Sequence, residues 1–331
     1  MVDPLSVFHA IPYPARVMAA SVRSAQLRWW RYGPETDEMV ARALDEETAS
    51  PAERLSRQQQ ALSEQLHHAA TQVPFYRSLW QGGVPGELGR WPILEKETVR
   101  ARPRELVADD APRRMFEDHT SGSSGTPTTV WLRRSTVRAW YALAEARWRL
   151  WYGVDRHDRW AIIGGQLVAP PDATSPPYWL WNPVLHQLYL SAYHLRVETA
   201  ADYARALVDH RVVYALGYPS SLYDLARLCL ENDVALPQMR VVIANAEPLL
   251  AYQRPVIEEA FGCPVRETYG ASEAVVAASE CEHRSMHLWP EVGVTEVVDE
   301  HGAPVGPGEV GDAVTHRSAQ PRHAAHPLSD R

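Results

Sequence analysis

Lysine is almost missing from this chain: Lys96 is the only one among its 33 basic residues, and every other is arginine. A GC-rich genome accounts for most of that bias, along with the abundant alanine and proline. Its consequence is chemical, because no mechanism that needs a lysine beyond position 96 can be run by these residues. Cysteine is scarce too. Cys229, Cys263 and Cys281 form an odd, scattered set without a CxxC pair, which argues against a disulfide framework. No apolar run reaches the roughly 18 residues of a membrane span. The amino terminus lacks the charged-then-apolar pattern of a secretory signal. Together these absences make a reducing cytoplasm the expected location.

Positive charge is in deficit as well. With 41 acidic and 33 basic residues the net charge is −8, so the chain as a whole repels phosphate backbones and nucleic acid is not an expected partner. What is present is a foldable composition. Hydrophobic residues make up 45% and charged residues 22% of 331, enough for one large α/β domain or two smaller ones.

Residues 1–50 read as an N-terminal helical extension. Within it, Val17 to Tyr32 has the basic, aromatic, amphipathic pattern of a helix that touches a membrane surface or a lipid-like substrate. Such a segment more often packs its tryptophans on its own domain, and that is the expectation here. Pro51 to Gln72 reads as a long helix ended by Val73-Pro74. A second helix is expected from Thr136 to Tyr152, and residues 165–185, rich in proline and aromatics, read as an irregular lobe.

From position 200 the pattern becomes regular. Helix Ala200–Asp209, strand Val212–Leu216, helix Ser220–Glu231, strand Arg240–Asn245, helix Leu249–Phe261 and strand Val265–Tyr269 alternate. That alternation implies a parallel sheet with right-handed crossovers, in which ligands sit at the carboxyl ends of strands. Gly217-Tyr218-Pro219-Ser220, Asn245-Ala246-Glu247-Pro248 and Tyr269-Gly270-Ala271-Ser272-Glu273 each fall at such an end. Val292–Val298, a turn at Glu300-His301-Gly302 and Glu309–Val314 read as a β-meander.

Three short segments carry chemistry. Thr120-Ser121-Gly122-Ser123-Ser124-Gly125-Thr126-Pro127 packs five hydroxyls and two glycines into eight residues, a loop whose amides can surround phosphate oxygens. It lacks the Gly-Lys-Ser/Thr ending of a Walker A loop, and taken alone an ordinary linker explains it as well. In Glu267-Thr268-Tyr269-Gly270-Ala271-Ser272-Glu273 the tyrosine offers a flat face to a purine. Gly270 admits a close ligand, and Glu273 is a hard oxygen donor for magnesium or a plain solvated or capping carboxylate. Asn245-Ala246-Glu247-Pro248 reads as a strand end that could meet an adenine edge, or as a simple β–α turn. Cys281, His283 and His287 have zinc-ligand chemistry but no clear fourth member, so ordinary polar loop residues are the expectation.

In their joint order and spacing these segments resemble the adenylate-forming superfamily, and within it the phenylacetate–CoA ligase group and its capsule-biosynthesis-type relatives. Val73-Pro74-Phe75-Tyr76, Gly217-Tyr218-Pro219-Ser220 and Gly308-Glu309-Val310-Gly311 fit the same pattern, and the likeness covers roughly residues 55–314. The resemblance implies the large N-terminal domain of that fold over residues 51–314, with parallel sheets, flanking helices and a small β region. It implies that Thr120, Ser121, Gly122, Ser123, Ser124, Gly125 and Thr126 hold ATP phosphates. Ala246, Glu247 and Pro248 with Glu267, Thr268, Tyr269 and Gly270 would enclose the adenine. Tyr218 and Ser272 would meet the substrate, and Glu273 would ligate Mg2+. The reaction implied is attack of an aryl or acyl carboxylate on the α-phosphorus of ATP, followed by displacement of AMP by coenzyme A. Many superfamily members carry lysine where Thr126 stands, so one phosphate cation is missing here.

Residues 315–331 depart from that pattern. The family would continue into an arginine-rich hinge, a ribose-binding aspartate and a small lid domain bearing the lysine that contacts the carboxylate and α-phosphate. His316 to Arg331 instead lacks apolar periodicity. Read one base later, the codons from Gln320 to Arg331 can spell Asn-Pro-Ala-Met-Pro-Leu-Ile-Arg-Tyr-Arg-Thr-Gly, which is the family's approach to the hinge. The expectation is a frameshift near Val314–Ser318, in the gene or its sequencing, leaving a chain without the lid domain or any catalytic residue of its own. Such a chain would be weakly active or inactive, or a non-catalytic nucleotide- or acyl-binding protein.

Overall fold

The structure is a computed structural model that describes residues 4–80, 88–119 and 128–317. In chain order its helices and strands begin with α1 (Pro4–Ala10), α2 (Tyr13–Arg31), α3 (Thr36–Asp45), α4 (Pro51–Gln72), α5 (Pro74–Leu79) and α6 (Lys96–Ala101). There follow β1 (Phe116–His119), β2 (Thr129–Leu132), α7 (Arg134–Ala144), β3 (Trp160–Gly164), β4 (Trp179–Asn182), β5 (Gln187–Ser191) and α8 (Val197–Asp209). The alternating run is β6 (Tyr214–Gly217), α9 (Pro219–Glu231), β7 (Val241–Ala244), α10 (Gln253–Phe261) and β8 (Val265–Gly270). Last come β9 (Ala277–Glu280), β10 (Met286–Leu288), β11 (Gly293–Val298) and β12 (Asp312–Arg317).

The chain divides into two compact units. One comprises Met1–Val40, Tyr141–Tyr269 and Ser279–His287; the other comprises Ala41–Trp140, Gly270–Ala278 and Leu288–Arg331. Each unit is assembled from three separated stretches of the chain.

The first unit is built on a large mixed sheet in the order β10-β9-β8-β7-β6-β3-β5-β4. Strands β5, β3, β6, β7 and β8 run parallel to one another in that order, and β4 closes that end antiparallel to β5. The parallel strands are short apolar runs, as expected where helices cover both faces. Ile163, Leu188, Leu207, Leu222, Leu225, Ile257 and Phe261 all reach zero exposure in this core. Each such side chain contributes about 2 kcal/mol when withdrawn from water.

The expected helix Thr136–Tyr152 is regular only to Ala144. Glu145–Arg149 then forms a π turn and Leu150–Tyr152 a 3-10 turn. Glu145 and Arg149 are both buried there and pair with each other. Arg149 donates to Glu145 at 3.2 Å and to the Tyr214 hydroxyl at 2.8 Å, while Glu145 accepts the Arg156 backbone N–H at 2.8 Å. Burial, partly offset by Arg149, raises the Tyr214 hydroxyl to about 12.

The N-terminal stretch is part of this unit. His9 bonds the Leu167 carbonyl at 2.8 Å, Arg16 donates to the Val168 carbonyl at 3.2 Å, and the Asn182 amide bonds Ser24. The expectation for its tryptophans is met by one of two: Trp30 is buried, and Trp29 is about half exposed.

In the second unit α4 has the bounds read from sequence. Ser50 accepts from the Glu53 N–H at 3.3 Å, and Glu53 accepts from the Ser50 N–H at 2.9 Å. This capping box, with Pro51 in the first turn, fixes the start. Gln58 on α4 donates to the Pro290 and Gly293 carbonyls at 3.3 and 3.1 Å. Strand β12 pairs antiparallel with β11 from Asp312↔Val298 to Arg317↔Gly293, so the ribbon runs three residues past the strand end expected at Val314. Residues 318–331, which hold most of the frame-shifted reading, lie outside the described residues.

Candidate functional site

In the first unit the parallel strands bring one row of residues into register. Ile163 on β3 pairs with Gly217 on β6, Gly217 with Ala244 on β7, and Ala244 with Glu267 on β8. The next residue on each strand or turn is therefore Gly164, Tyr218, Asn245 or Thr268, side by side at the carboxyl edge. That edge is where doubly wound sheets bind ligands, because the βα turns diverge there and leave a crevice. Segments 217–220 and 245–248 picked from sequence thus share one edge with the start, Glu267 to Tyr269, of the segment 267–273.

The edge is held by polar contacts between its turns. Asn245 N–H donates to the Gly217 carbonyl at 2.9 Å. Thr268, only 3% exposed, donates its hydroxyl to the Ala244 carbonyl at 3.0 Å and accepts the Asn245 side-chain amide at 2.9 Å. Its side chain fastens two strand ends together, whereas the Tyr269 ring beside it is 52% exposed. Gly217 has no room for a side chain, since a Cβ there would lie 2.5 Å from the Ile163 carbonyl oxygen.

The turn after β7 is strained in a way that suits a ligand site. Ala246 sits at φ +67°, a left-handed conformation uncommon for a residue with a Cβ. Ala246 and Pro248 are exposed, and the Glu247 carboxylate between them accepts the Ser220 N–H at 3.2 Å at the start of α9. A carboxylate is favourable at that positive helix end. Glu267 turns one oxygen to the Leu249 N–H at 3.3 Å. Its own N–H donates at 2.7 Å to Glu280, a buried carboxylate paired with Arg254 at 3.0 Å.

Tyr218 lies over the Gly164-Gly165 pair. A Cβ on Gly165 would meet the Tyr218 ring at 3.7 Å, and the Tyr193 hydroxyl donates to the Gly165 carbonyl at 3.1 Å. The glycine pair was not among the residues chosen from sequence. The signal was present in Trp160-Ala161-Ile162-Ile163 followed by two glycines, which is a buried strand stopping at a point of close approach.

Gly270, Ser272 and Glu273 fall in the second unit. There Ala271–Val276 forms a turn closed by Ala271 N–H to the Val276 carbonyl at 3.3 Å, with Ala274 at φ +52°. Ser272 is exposed and Glu273 partly so. Thr120 to Pro127, the Ser/Gly loop, lies outside the described residues. Among the described residues no three His, Cys, Asp or Glu side chains gather as a metal site, so Cys281, His283 and His287 do not form one.

No protein-family model matches the chain. In sequence it is 26% identical to protein CapK of Staphylococcus aureus over 216 residues, covering 65% of this chain and 48% of CapK. It is 25% identical to the uncharacterized acyl–CoA ligase YtcI of Bacillus subtilis over 235 residues, 68% of this chain and 41% of YtcI. Against the phenylacetate–coenzyme A ligase of Escherichia coli the identity is 24% over 285 residues, 80% of this chain and 63% of that enzyme. The chain thus spans about half the length of the curated relatives it matches. Among solved structures it superposes on 2-hydroxyisobutyryl-CoA ligase in its postadenylation state with a TM-score of 0.59 at 22% identity, covering 83% of this chain and 62% of the other. The open conformation of the same ligase, in complex with 2-HIB-AMP and CoA, gives 0.56 at 21% identity, with 83% and 68% covered. The fold is therefore the mixed α/β fold of those ligases.

Proposed function

We propose that the chain, which is similar in sequence to CapK and to acyl–CoA and phenylacetate–CoA ligases, binds ATP beside a small carboxylic acid at its strand-end site for acyl-adenylate formation. The observation that carries this reading is the shared row Ile163–Gly217–Ala244–Glu267. It sets an exposed tyrosine, a strained turn and the close-packed Gly217 along one edge. A flat aromatic face and exposed backbone suit a purine, which needs stacking more than charge.

In this reading the Tyr269 ring stacks on adenine, and Ala246, Glu247, Pro248, Glu267 and Gly270 form its surround. Thr268 holds the two strand ends at their spacing. The resemblance assigns the phosphates to Thr120 to Thr126 and names Tyr218 and Ser272 for the acid. The carboxylate oxygen attacks the α-phosphorus, a P–O bond forms, and the bond to pyrophosphate breaks. The thiol of coenzyme A then displaces AMP, exchanging a C–O for a C–S bond. These residues contribute alignment, which is worth several kcal/mol in such reactions. Magnesium usually takes one or two carboxylates plus phosphate oxygens, and the single partly exposed Glu273 fits that set. When bound there, the ion would neutralise phosphate charge. The proposed setting is the cytoplasm, where ATP and coenzyme A are available.

Pyrophosphate exchange into ATP, run across a panel of aryl and aliphatic acids, tests the reading. Acid-dependent exchange supports it. ATP binding without exchange for any acid favours the second reading, a non-catalytic nucleotide- or acyl-binding protein. One observation favours that second reading: lysine occurs only at position 96, so residues 1–331 hold no later lysine to meet the α-phosphate. The frame-shifted reading of residues 315–331 connects the two. Sequencing the gene through codon 331 and beyond in all frames tests it, and a frame that spells the hinge and then a lysine-bearing domain supports the enzyme.

A further inference from the structure

Helix α2 carries apolar residues outward as well as inward. A surface helix ordinarily turns an apolar stripe to its domain and a polar side to water. Inward, α2 places Arg16, Ser24 and Trp30, none more than 9% exposed, with Val17, Ala20 and Leu27 half-buried. Outward it carries Met18 at 66%, Val22 at 69% and Trp29 at 48% exposure, with Ala25 exposed between them. Steps of four, three and four residues line these up along one side of the helix, over roughly 16 Å.

Its charge is just as uneven. Tyr13–Arg31 contains Arg16, Arg23, Arg28 and Arg31 and no acidic residue, in a chain whose net charge is −8. Arg23 and Arg28 are exposed; Arg23 donates to Gln26 at 2.9 Å and Arg28 reaches the Val184 carbonyl at 3.4 Å. An acid-free basic helix with an outward apolar stripe has the composition of an element that lies in a membrane interface.

We propose that the outward side of α2 docks on an anionic lipid surface. The helix axis would lie in the plane of the bilayer. Met18, Val22 and Trp29 would enter the headgroup–acyl boundary, and Arg23 and Arg28 would extend their stems to lipid phosphates. Charge complementarity selects this occupant. An anionic surface repels the chain as a whole, whereas this acid-free side attracts it, which orients the chain on the surface. The contact is interfacial, since no helix among the described residues is long and apolar enough to cross a membrane. The proposal stands apart from the nucleotide site.

The test is co-sedimentation of the whole chain with phosphatidylcholine vesicles and with vesicles that also contain phosphatidylglycerol, at low and high salt. The expected result is binding to the anionic vesicles only, lost at high salt. Val22→Glu should weaken it roughly tenfold or more by placing a charge in the apolar stripe. Arg23→Gln and Arg28→Gln should each weaken it roughly fivefold. Val208→Ser, an exposed apolar change on α8, should bind as the parent does. Circular dichroism verifies that every variant is folded. Absence of binding to anionic vesicles overturns the proposal. So does equal binding to neutral vesicles, or a folded Val22→Glu variant that binds like the parent. Self-association abolished by Val22→Glu, without vesicle binding, assigns the face to a second copy and also overturns it.

Discussion

The Thr268 hydroxyl reaches across from β8 to the Ala244 carbonyl at the end of β7, 3.0 Å away, and the same oxygen accepts the side-chain amide of Asn245. One buried hydroxyl thereby sets the separation of the turn at 245–248 from the exposed ring of Tyr269. Thr268→Val keeps the shape and removes both bonds, leaving a buried carbonyl and an amide without this partner. We expect a loss of about 1–3 kcal/mol in urea unfolding. Nucleotide affinity should fall as well, and Thr268→Ser should restore most of both. Unchanged affinity in a folded Thr268→Val protein would remove the positioning role.

The buried pair at the π turn gives a prediction about stability alone. Glu145 and Arg149 have side chains 1% and 9% exposed, and each is the other's ion-pair partner. Arg149→Met leaves a buried carboxylate short of a partner and should cost about 3–5 kcal/mol in chemical unfolding. Adding Glu145→Leu should recover much of that loss, because the double variant buries no lone charge.

The cysteines should differ in reactivity. Burial pushes the Cys229 thiol up to about 11 and the Cys263 thiol up to about 12, whereas Cys281 is partly exposed. Alkylation of the native protein near neutral pH, followed by mass spectrometry, should label Cys281 first. The same shifts set a stability trend. A thiol whose folded value is raised stabilises the fold fully below its unfolded value near 9.0, and that contribution is lost as pH climbs through about 11 to 12. Tyr214, raised to about 12 by burial, adds to the loss over the same alkaline range. Unfolding free energy should therefore decline above about pH 10.

Much of the first unit could be read from residues alone. The alternating run from Val197 to Gly270 was placed to within a few residues, because short apolar strands, proline-led helices and βα turns are local signals. Helix α4 was read with its observed bounds, Val73-Pro74 marking its end, while the Ser50–Glu53 capping box that fixes its start emerged with the structure. The π turn was not legible: the Arg149 bond to Tyr214 that accompanies it joins residues 65 positions apart. The division into two units, each made of three stretches, is likewise a long-range property. For the site, sequence gave the strand ends but not what each side chain does there. Glu247 looks the same in sequence whether it faces a ligand or the first turn of α9. Thr268 looks the same whether it lines a surface or is buried beneath one.

Titration of ATP with magnesium into the parent chain and into Tyr269→Ala and Tyr269→Phe tests the central claim most directly. Tyr269 is 52% exposed, so neither change should disturb folding. Loss of a stacked ring costs about 1–3 kcal/mol, so the account predicts ATP affinity lowered roughly tenfold or more by Tyr269→Ala and nearly kept by Tyr269→Phe. Equal affinity in all three proteins, or no binding by the folded parent, would contradict the assignment of this strand edge as a nucleotide site.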